Sequence, residues 1–353
     1  VNPFYKTLYP VIKLMDPERA HVLSIKALKV GLAGLAFNDR QGDRSILRTQ
    51  AFGLDFSNPV GLAAGYDKHA EAPDAILRLG FGFTEAGTVT PRAQAGNPKP
   101  RLFRLTEDRA VINRFGFNSE GLVPFKRRLE ERQNRERTSG IFGANLGANK
   151  ESEDRAGDYV TGLQALKGLA DYFTINISSP NTPGLRGLQD KAELVDLIDR
   201  IKSAGATAPL LLKIAPDVTD AELEDICQVV VEKQMDGLII SNTTLLRPKS
   251  LRSHHAGETG GLSGAPLFKL STERLGRAYK LTGGKIPLVG VGGISTGRQA
   301  FEKILAGASL VQLYSAMVFD GPALVQKVKS ELELCLRADG FDRVGDAVGQ
   351  SVK

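Results

Sequence analysis

Apolar positions in this chain gather into eight short runs, at residues 60–64, 81–88, 141–146, 172–177, 210–214, 238–242, 288–291 and 310–314. Each run closes on glycine or a polar residue, and a helix-like segment separates it from the next. Short continuous apolar runs predict strands buried on both faces, and their alternation with helices predicts a parallel sheet. Eight such units predict a closed α/β (β/α)8 TIM barrel, with an open doubly wound sheet as the alternative. The intervening helices carry signals of their own. Thr219-Asp220-Ala221-Glu222 is a capping box opening a helix to about Gln234, and Asp196-Leu197-Ile198-Asp199 sits in a helical pattern ending near Gly205. A chain of 353 residues with no second composition regime predicts one large domain of barrel size.

Barrel enzymes bind their ligands at the carboxyl ends of the strands, so the residues closing each run are the candidates for chemistry. In order they are Ala64-Gly65-Tyr66-Asp67-Lys68, Thr88, Asn145, Asn176, Lys213, Ser241-Asn242-Thr243, Gly292-Gly293 and Tyr314-Ser315. Amides, hydroxyls, glycines and two lysines dominate, and carboxylates are scarce. Such a set suits a polar anionic ligand and a cofactor held by many hydrogen bonds, rather than a metal pair or a carboxylate dyad.

Three segments sharpen this picture. Asn176-Ile177-Ser178-Ser179-Pro180-Asn181-Thr182 puts hydroxyls between amides after the fourth run, and Pro180, Pro183 and Gly184 make a stiff loop able to act as a lid. Gly290-Val291-Gly292-Gly293-Ile294-Ser295-Thr296 ends the seventh run in a glycine turn before a helix, while Tyr314-Ser315 closes the eighth. Loops at these two places commonly hold a phosphate through backbone N–H groups; the glycines alone would serve close packing, and their pairing with the polar end of the eighth run favours the phosphate. The insertion at 91–117 is too long for an ordinary connection and reads as a hairpin over the barrel mouth, from runs 101–105 and 110–113. It brings Asn113, Arg114, Phe115, Gly116 and Phe117 to that mouth, where the two rings could stack on substrate or simply pack the lid.

The formal charge of +6 comes from interspersed charges of both signs, with no like-charge block that would point to nucleic acid. Cys227 and Cys335 lie in helical patterns with no CxxC spacing and read as reduced, inert thiols. His254-His255 lacks the partners of a metal site, and no metal is expected.

The strand ends and their flanks closely resemble the FMN-dependent dihydroorotate dehydrogenases, in particular the membrane-associated, quinone-reducing class, over essentially the whole length. The resemblance is carried by Ala63-Ala64-Gly65-Tyr66-Asp67-Lys68, Gly87-Thr88-Val89-Thr90-Pro91, Val111-Ile112-Asn113-Arg114-Phe115-Gly116-Phe117-Asn118, the 176–182 segment, Ser241-Asn242-Thr243-Thr244, Gly261-Leu262-Ser263-Gly264 and Val289-Gly290-Val291-Gly292-Gly293. It implies oxidation of dihydroorotate to orotate in de novo pyrimidine synthesis, with a membrane quinone as electron acceptor. It further implies that FMN is held by Ala64, Gly65, Tyr66, Asp67, Lys68, Thr88, Asn145, Asn176, Lys213, Ser241, Gly264, Gly293, Tyr314 and Ser315. Substrate would meet Lys68, Asn113, Arg114, Phe115, Gly116, Phe117, Asn176, Asn181, Asn242 and Thr243, with Ser179 at the position of the catalytic base. Ser241 stands where the family usually has Thr, and either hydroxyl makes the same bond.

Ahead of the barrel, residues 1–38 read as a separate extension of two short amphipathic helices broken at Asp16-Pro17, with Leu23 and Leu28 on the apolar stripe; residues 39–353 form the catalytic barrel. The longest apolar run there, 30–37, falls far short of the roughly 20 residues that span a bilayer, so a peripheral membrane protein on the cytoplasmic face of the bacterial cell membrane is expected. Packing on the barrel or a dimer interface would explain the helices equally well. The resemblance favours a quinone path, with His21 and Arg104 at positions that approach the quinone in this class. Other functions compatible with a barrel are a Schiff-base aldolase using Lys213, which would be colourless, and a flavin-dependent uridine reductase, which would need a cysteine at a strand end.

Overall fold

The computed structural model describes residues 3–31, 44–135, 138–182 and 184–352. Helices α1 (Pro3–Ile12) and α2 (Pro17–Lys29) precede a small hairpin of β1 (Thr49–Ala51) and β2 (Leu54–Phe56). The chain then runs through β3 (Val60–Asp67), α3 (Pro73–Leu77), β4 (Phe83–Val89), the inserted β5 (Leu102–Leu105) and β6 (Ala110–Asn113), α4 (Leu122–Gln133), β7 (Ile141–Leu146) and α5 (Arg155–Ala165). It continues through β8 (Tyr172–Asn176), α6 (Lys191–Ser203), β9 (Leu210–Ile214), α7 (Asp220–Glu232), β10 (Gly237–Ile240), β11 (Gly261–Gly264) and α8 (Phe268–Thr282). The last elements are β12 (Leu288–Val291), α9 (Gly297–Leu305), β13 (Ala308–Leu313), α10 (Ala316–Asp320) and α11 (Leu324–Ala338).

All eight expected runs are strands of one closed barrel, paired in the order β10-β12-β13-β3-β4-β7-β8-β9. Every pair around it is parallel, including the closing β9–β10 pair, so the open sheet is excluded. Parallel strands demand helical crossovers, and α7 starts where its capping box lies: the Thr219 hydroxyl accepts the Glu222 N–H at 3.2 Å, and the Glu222 carboxylate accepts that of Thr219 at 2.5 Å.

Side chains alternate along each strand, and this sorts the barrel interior into layers. The lower layer is apolar, built on Phe83, Tyr172, Leu211, Ile239, Val289 and Leu310. Phe56 of the β1–β2 hairpin packs edge-on against Phe83, ring centroids 5.4 Å apart, and closes this end. Gly61 and Gly143 make room for these rings, since a Cβ at either would fall 2.3 Å from Phe83 or Tyr172. Two residues further along the same strands, the interior becomes polar, with Glu85, Thr174, Lys213 and Gln312 all buried.

The insertion forms the expected β5–β6 hairpin, and β11 adds a third antiparallel strand against β6. That strand is Gly-Leu-Ser-Gly, a sequence with almost no strand propensity, and only its neighbour's edge makes it a strand. At the N-terminus the two helices separate where expected: Asp16 caps α2 by accepting the Arg19 N–H at 2.9 Å, with Pro17 in its first turn. Helix α1 docks through the Tyr5 hydroxyl, which donates to the Val318 carbonyl at 2.8 Å. Helix α2 docks through Glu18, which receives two hydrogen bonds from Arg101, and through buried Ile25 and Leu28. Leu28 therefore belongs to the core, whereas Leu23 is half exposed at 49%. The expected division at 38/39 lies outside the described residues. Among those described, no helix is long and apolar enough to cross a membrane.

Candidate active site

A single cavity of about 880 Å³ opens at the carboxyl ends of the strands and extends between α1 and α2. Its inner wall carries Ala64, Gly65, Tyr66, Lys68, Thr88, Asn176, Lys213, Ser241, Asn242, Thr243, Gly264, Gly293, Tyr314 and Ser315. The inserted sheet and the 176–182 loop contribute Asn113, Phe115, Gly116, Phe117, Ser179 and Asn181, and the outer reach contains His21 and Arg104. Barrel closure thus brings together nearly all the expected site residues from positions up to 294 apart in sequence.

Three expected site residues do not line it. Asp67 is buried with its carboxylate turned to the next loop, accepting the N–H groups of Glu71 and Ala72 at 2.8 and 2.9 Å. Arg114 pairs with Glu258 at 2.7 Å and lies over the Phe103 ring, on the other side of the inserted sheet. Asn145 stands behind the wall as the centre of a buried network. It accepts from Thr88 at 2.6 Å and from the Asn176 amide at 3.1 Å, and donates to Glu85 at 3.0 Å.

Glu85 was not among the expected residues, and it organises the barrel floor. It accepts from Asn145, from the Tyr172 hydroxyl at 3.1 Å and from the Gln312 amide at 2.6 Å. The strand period would have found it: Glu85 lies two residues before Gly87, and Gln312 two before Tyr314, so both face inward with the strand ends. Lys213 faces this floor. Burial pulls its ammonium pKa down and the Glu85 charge raises it again, while among the described residues it donates a hydrogen bond to none. A buried, cavity-facing cation without a partner is a binding group for an electron-rich edge of a ligand.

Glycines shape the opposite end. Gly293 has φ +76°, and a Cβ there would fall 2.6 Å from Phe268 at the start of α8; Gly264 has φ +95°, and a Cβ would meet the Arg109 carbonyl at 2.4 Å. The backbone of both is bare toward the cavity, beside Ser315, whose hydroxyl shares a 2.7 Å hydrogen bond with Ser263. Bare backbone and hydroxyls at one end, amides and an unpaired ammonium at the other, fit a flat polar heterocycle carrying a phosphate tail.

Over this cradle lies the substrate space. Lys68 donates to the Gly65 carbonyl at 2.7 Å and stands 4.1 Å from the Phe115 ring centroid. Burial pulls its pKa down to about 8, with Glu18 opposing, so it stays largely charged at neutral pH. Phe115 therefore backs a cation as well as packing the lid. The Ser179 hydroxyl is buried and accepts from the Asn181 N–H at 3.3 Å and the Thr182 hydroxyl at 3.4 Å. The Asn181 amide is tied to the Asn113 carbonyl at 3.1 Å, and the Asn242 amide to Ser178 at 3.0 Å, so the 176–182 loop is pinned to both neighbours. Pro183 lies outside the described residues.

The outer reach is apolar, and its polar groups are already engaged. Arg104 donates to the carbonyls of Ile12 at 3.0 Å and of Met15, which clamps the α1–α2 corner. His21 packs edge-on against Tyr66 at 5.3 Å, and Tyr66 donates to Ser24 of α2 at 3.0 Å. Burial, reinforced by Lys68, pulls the His21 pKa down to about 3, so the ring is neutral.

A closed parallel barrel with such a cradle, a roofing insertion and a second apolar entrance defines an enzyme of the barrel class with its site at the strand ends. The chain belongs to the dihydroorotate dehydrogenase family, whose model matches residues 46–336. It is 57% identical to the dihydroorotate dehydrogenase (quinone) of Azorhizobium caulinodans and 55% identical to that of Xanthobacter autotrophicus, each alignment covering 99% of both chains. Among solved structures it is similar to DHODH from Eimeria tenella in complex with ferulenol, with a TM-score of 0.91, 42% identity and 95% of each chain covered.

Proposed function

We propose that this chain oxidises dihydroorotate to orotate, uses FMN to do so, and delivers the electrons to a quinone drawn from a membrane. The observation that carries the proposal is the single cavity joining a polar cradle at the strand ends to an apolar opening between α1 and α2. Relatives with nearly full coverage bear the name dihydroorotate dehydrogenase (quinone), which agrees with this reading.

Bound FMN would supply the hydride acceptor for C6 of dihydroorotate and the electron donor for the quinone. The chain's own groups then have separable tasks. Ala64, Gly65, Thr88, Ser241, Gly264, Gly293, Tyr314 and Ser315 would hold the cofactor, and Lys213 its N1–O2 edge, where negative charge accumulates on reduction. Asn145 would act from behind, by holding Thr88 and Asn176 in place. Lys68, Asn113, Asn176, Asn181, Asn242 and Thr243 would bind the substrate, with Lys68 stabilising negative charge on it.

Ser179 would remove the proton from C5. A hydroxyl is a weak base, and both described contacts to its oxygen are donors, which favours the developing alkoxide. Its own proton needs an exit, and because both described partners donate to this oxygen, a proton-accepting water path would have to take it.

The helices α1 and α2 would form the quinone entrance and a peripheral contact with the cytoplasmic face of the membrane, as an extension distinct from the barrel. Leu8, Val11, Leu14, Val22 and Leu23 are between 41% and 83% exposed and would supply that contact. The deciding experiment is spectroscopic. Purified protein is expected to show a flavin spectrum that dihydroorotate bleaches without oxygen and a long-chain quinone restores; a colourless protein would overturn the proposal.

A further inference from the structure

Lys303 of α9 is fully buried, and among the described residues no carboxylate lies within ion-pair distance. Its ammonium donates to the hydroxyls of Ser271 at 2.8 Å and Thr272 at 3.0 Å, both in α8, and lies 5.1 Å from the Phe268 ring centroid. A buried cation without a counter-charge is unfavourable, and burial alone pulls its pKa down to about 7.

Its neighbours show where a counter-charge would lie. The Ser271 hydroxyl is within hydrogen-bond distance of the Gly292 carbonyl, at 3.2 Å, as well as of the Phe268 carbonyl, at 3.1 Å. A Cβ on Gly292 would fall 2.7 Å from that hydroxyl, so serine and turn are in direct contact. Gly292 and Gly293 line the cavity, while Lys303 and Ser271 do not. The ammonium therefore stands immediately behind the glycine turn whose front faces the cavity.

We propose that Lys303 is a positioning residue for the FMN phosphate, acting from behind the Gly292-Gly293 turn and through Ser271 rather than by contact. The proposal rests on the reading of that turn as the phosphate site. A serine that accepts from an ammonium is a stronger donor, and its one proton can be given to the Gly292 carbonyl in place of that of Phe268. A carbonyl so engaged polarises its peptide and strengthens the Gly293 N–H on the cavity side. The ammonium form attracts a dianion across this buried wall and is in turn favoured by it, and burial is the one influence on its pKa among the described residues.

Full-length holoprotein, incubated with a mixture of FMN and riboflavin, tests this when the bound flavins are separated by chromatography after denaturation. Wild type is expected to retain FMN strongly over riboflavin. Lys303→Met should lower that preference on the order of ten-fold, as for loss of one charge-assisted interaction, and Ser271→Ala should lower it by a smaller factor. A merely structural lysine would lower the melting temperature and leave the ratio untouched, and that result would overturn the proposal. If wild type itself showed no preference, the phosphate reading would fail first and take the inference with it. Should Lys303→Met not fold, Ser271→Ala decides, because an unchanged ratio there rules out the relay.

Discussion

The Tyr314 hydroxyl, at the end of β13, lies 3.4 Å from Nδ1 of His21 on α2. This contact joins the barrel cradle to the helical entrance, and Tyr66 packs against both rings at 5.6 and 5.3 Å. Because His21 is held neutral, with a pKa near 3 against an ordinary value of about 6.5, the unfolded chain binds a proton there more readily than the folded one. Its contribution to stability is complete above about pH 6.5 and is lost as pH falls from there toward the folded value, by up to about 1.4 kcal/mol per pH unit. Thermal melts are therefore expected to drop less steeply between about pH 7 and pH 5 for His21→Asn than for wild type. Parallel curves would show that His21 is not held neutral.

Ser179→Ala should slow anaerobic flavin bleaching by dihydroorotate by roughly 10²- to 10⁴-fold, the usual range for loss of a general base. Orotate binding, read from the flavin spectrum, should persist, because Lys68, Asn113 and Asn242 remain. Stopped-flow reduction at a normal rate would remove Ser179 from the mechanism.

Gly293→Ala introduces a methyl group 2.6 Å from Phe268 at a positive φ, so even the smallest side chain disrupts this turn. The variant is expected to purify with much less flavin per chain, judged by the ratio of flavin to protein absorbance. Full occupancy would argue against a close backbone approach to a ligand at Gly293.

Asp67 offers the opposite expectation. Its carboxylate is buried and holds two loop N–H groups, so Asp67→Ala should lower stability by about 1–3 kcal/mol in denaturant unfolding and leave flavin content per folded chain unchanged. Loss of flavin without loss of stability would return Asp67 to the cofactor site.

Leu14 is 83% exposed and does not line the cavity. Leu14→Asp should weaken sedimentation with anionic liposomes, while flavin bleaching by dihydroorotate and reduction of a water-soluble quinone continue at wild-type rates. Unaltered liposome binding would place the membrane contact elsewhere.

The barrel was legible because a strand buried on both faces must be apolar throughout, and eight such runs between helices leave few other closures. The strand-end residues were legible for the same reason, since polarity at the end of a buried run needs an explanation. Period and propensity do not report which partner a side chain finds at the end of a strand. Asp67 and Arg114 share a stretch with true cavity residues yet face other partners, Glu71 and Ala72 in one case and Glu258 in the other. Leu28 shares a helix with Leu23, and only docking against the barrel decides that one is core and the other surface. Glu85 is the one charged residue of β4, and Lys303 follows Glu302 in an ordinary helix. Their meaning comes from what barrel closure packs around them: three donors from three other strands for Glu85, and two hydroxyls without a carboxylate for Lys303. The sequence by itself determined the elements and the places where chemistry could occur, because hydrophobic burial is a local demand on the chain. Only the tertiary structure decided which groups face one another, because that depends on residues far apart in sequence being packed into one interior.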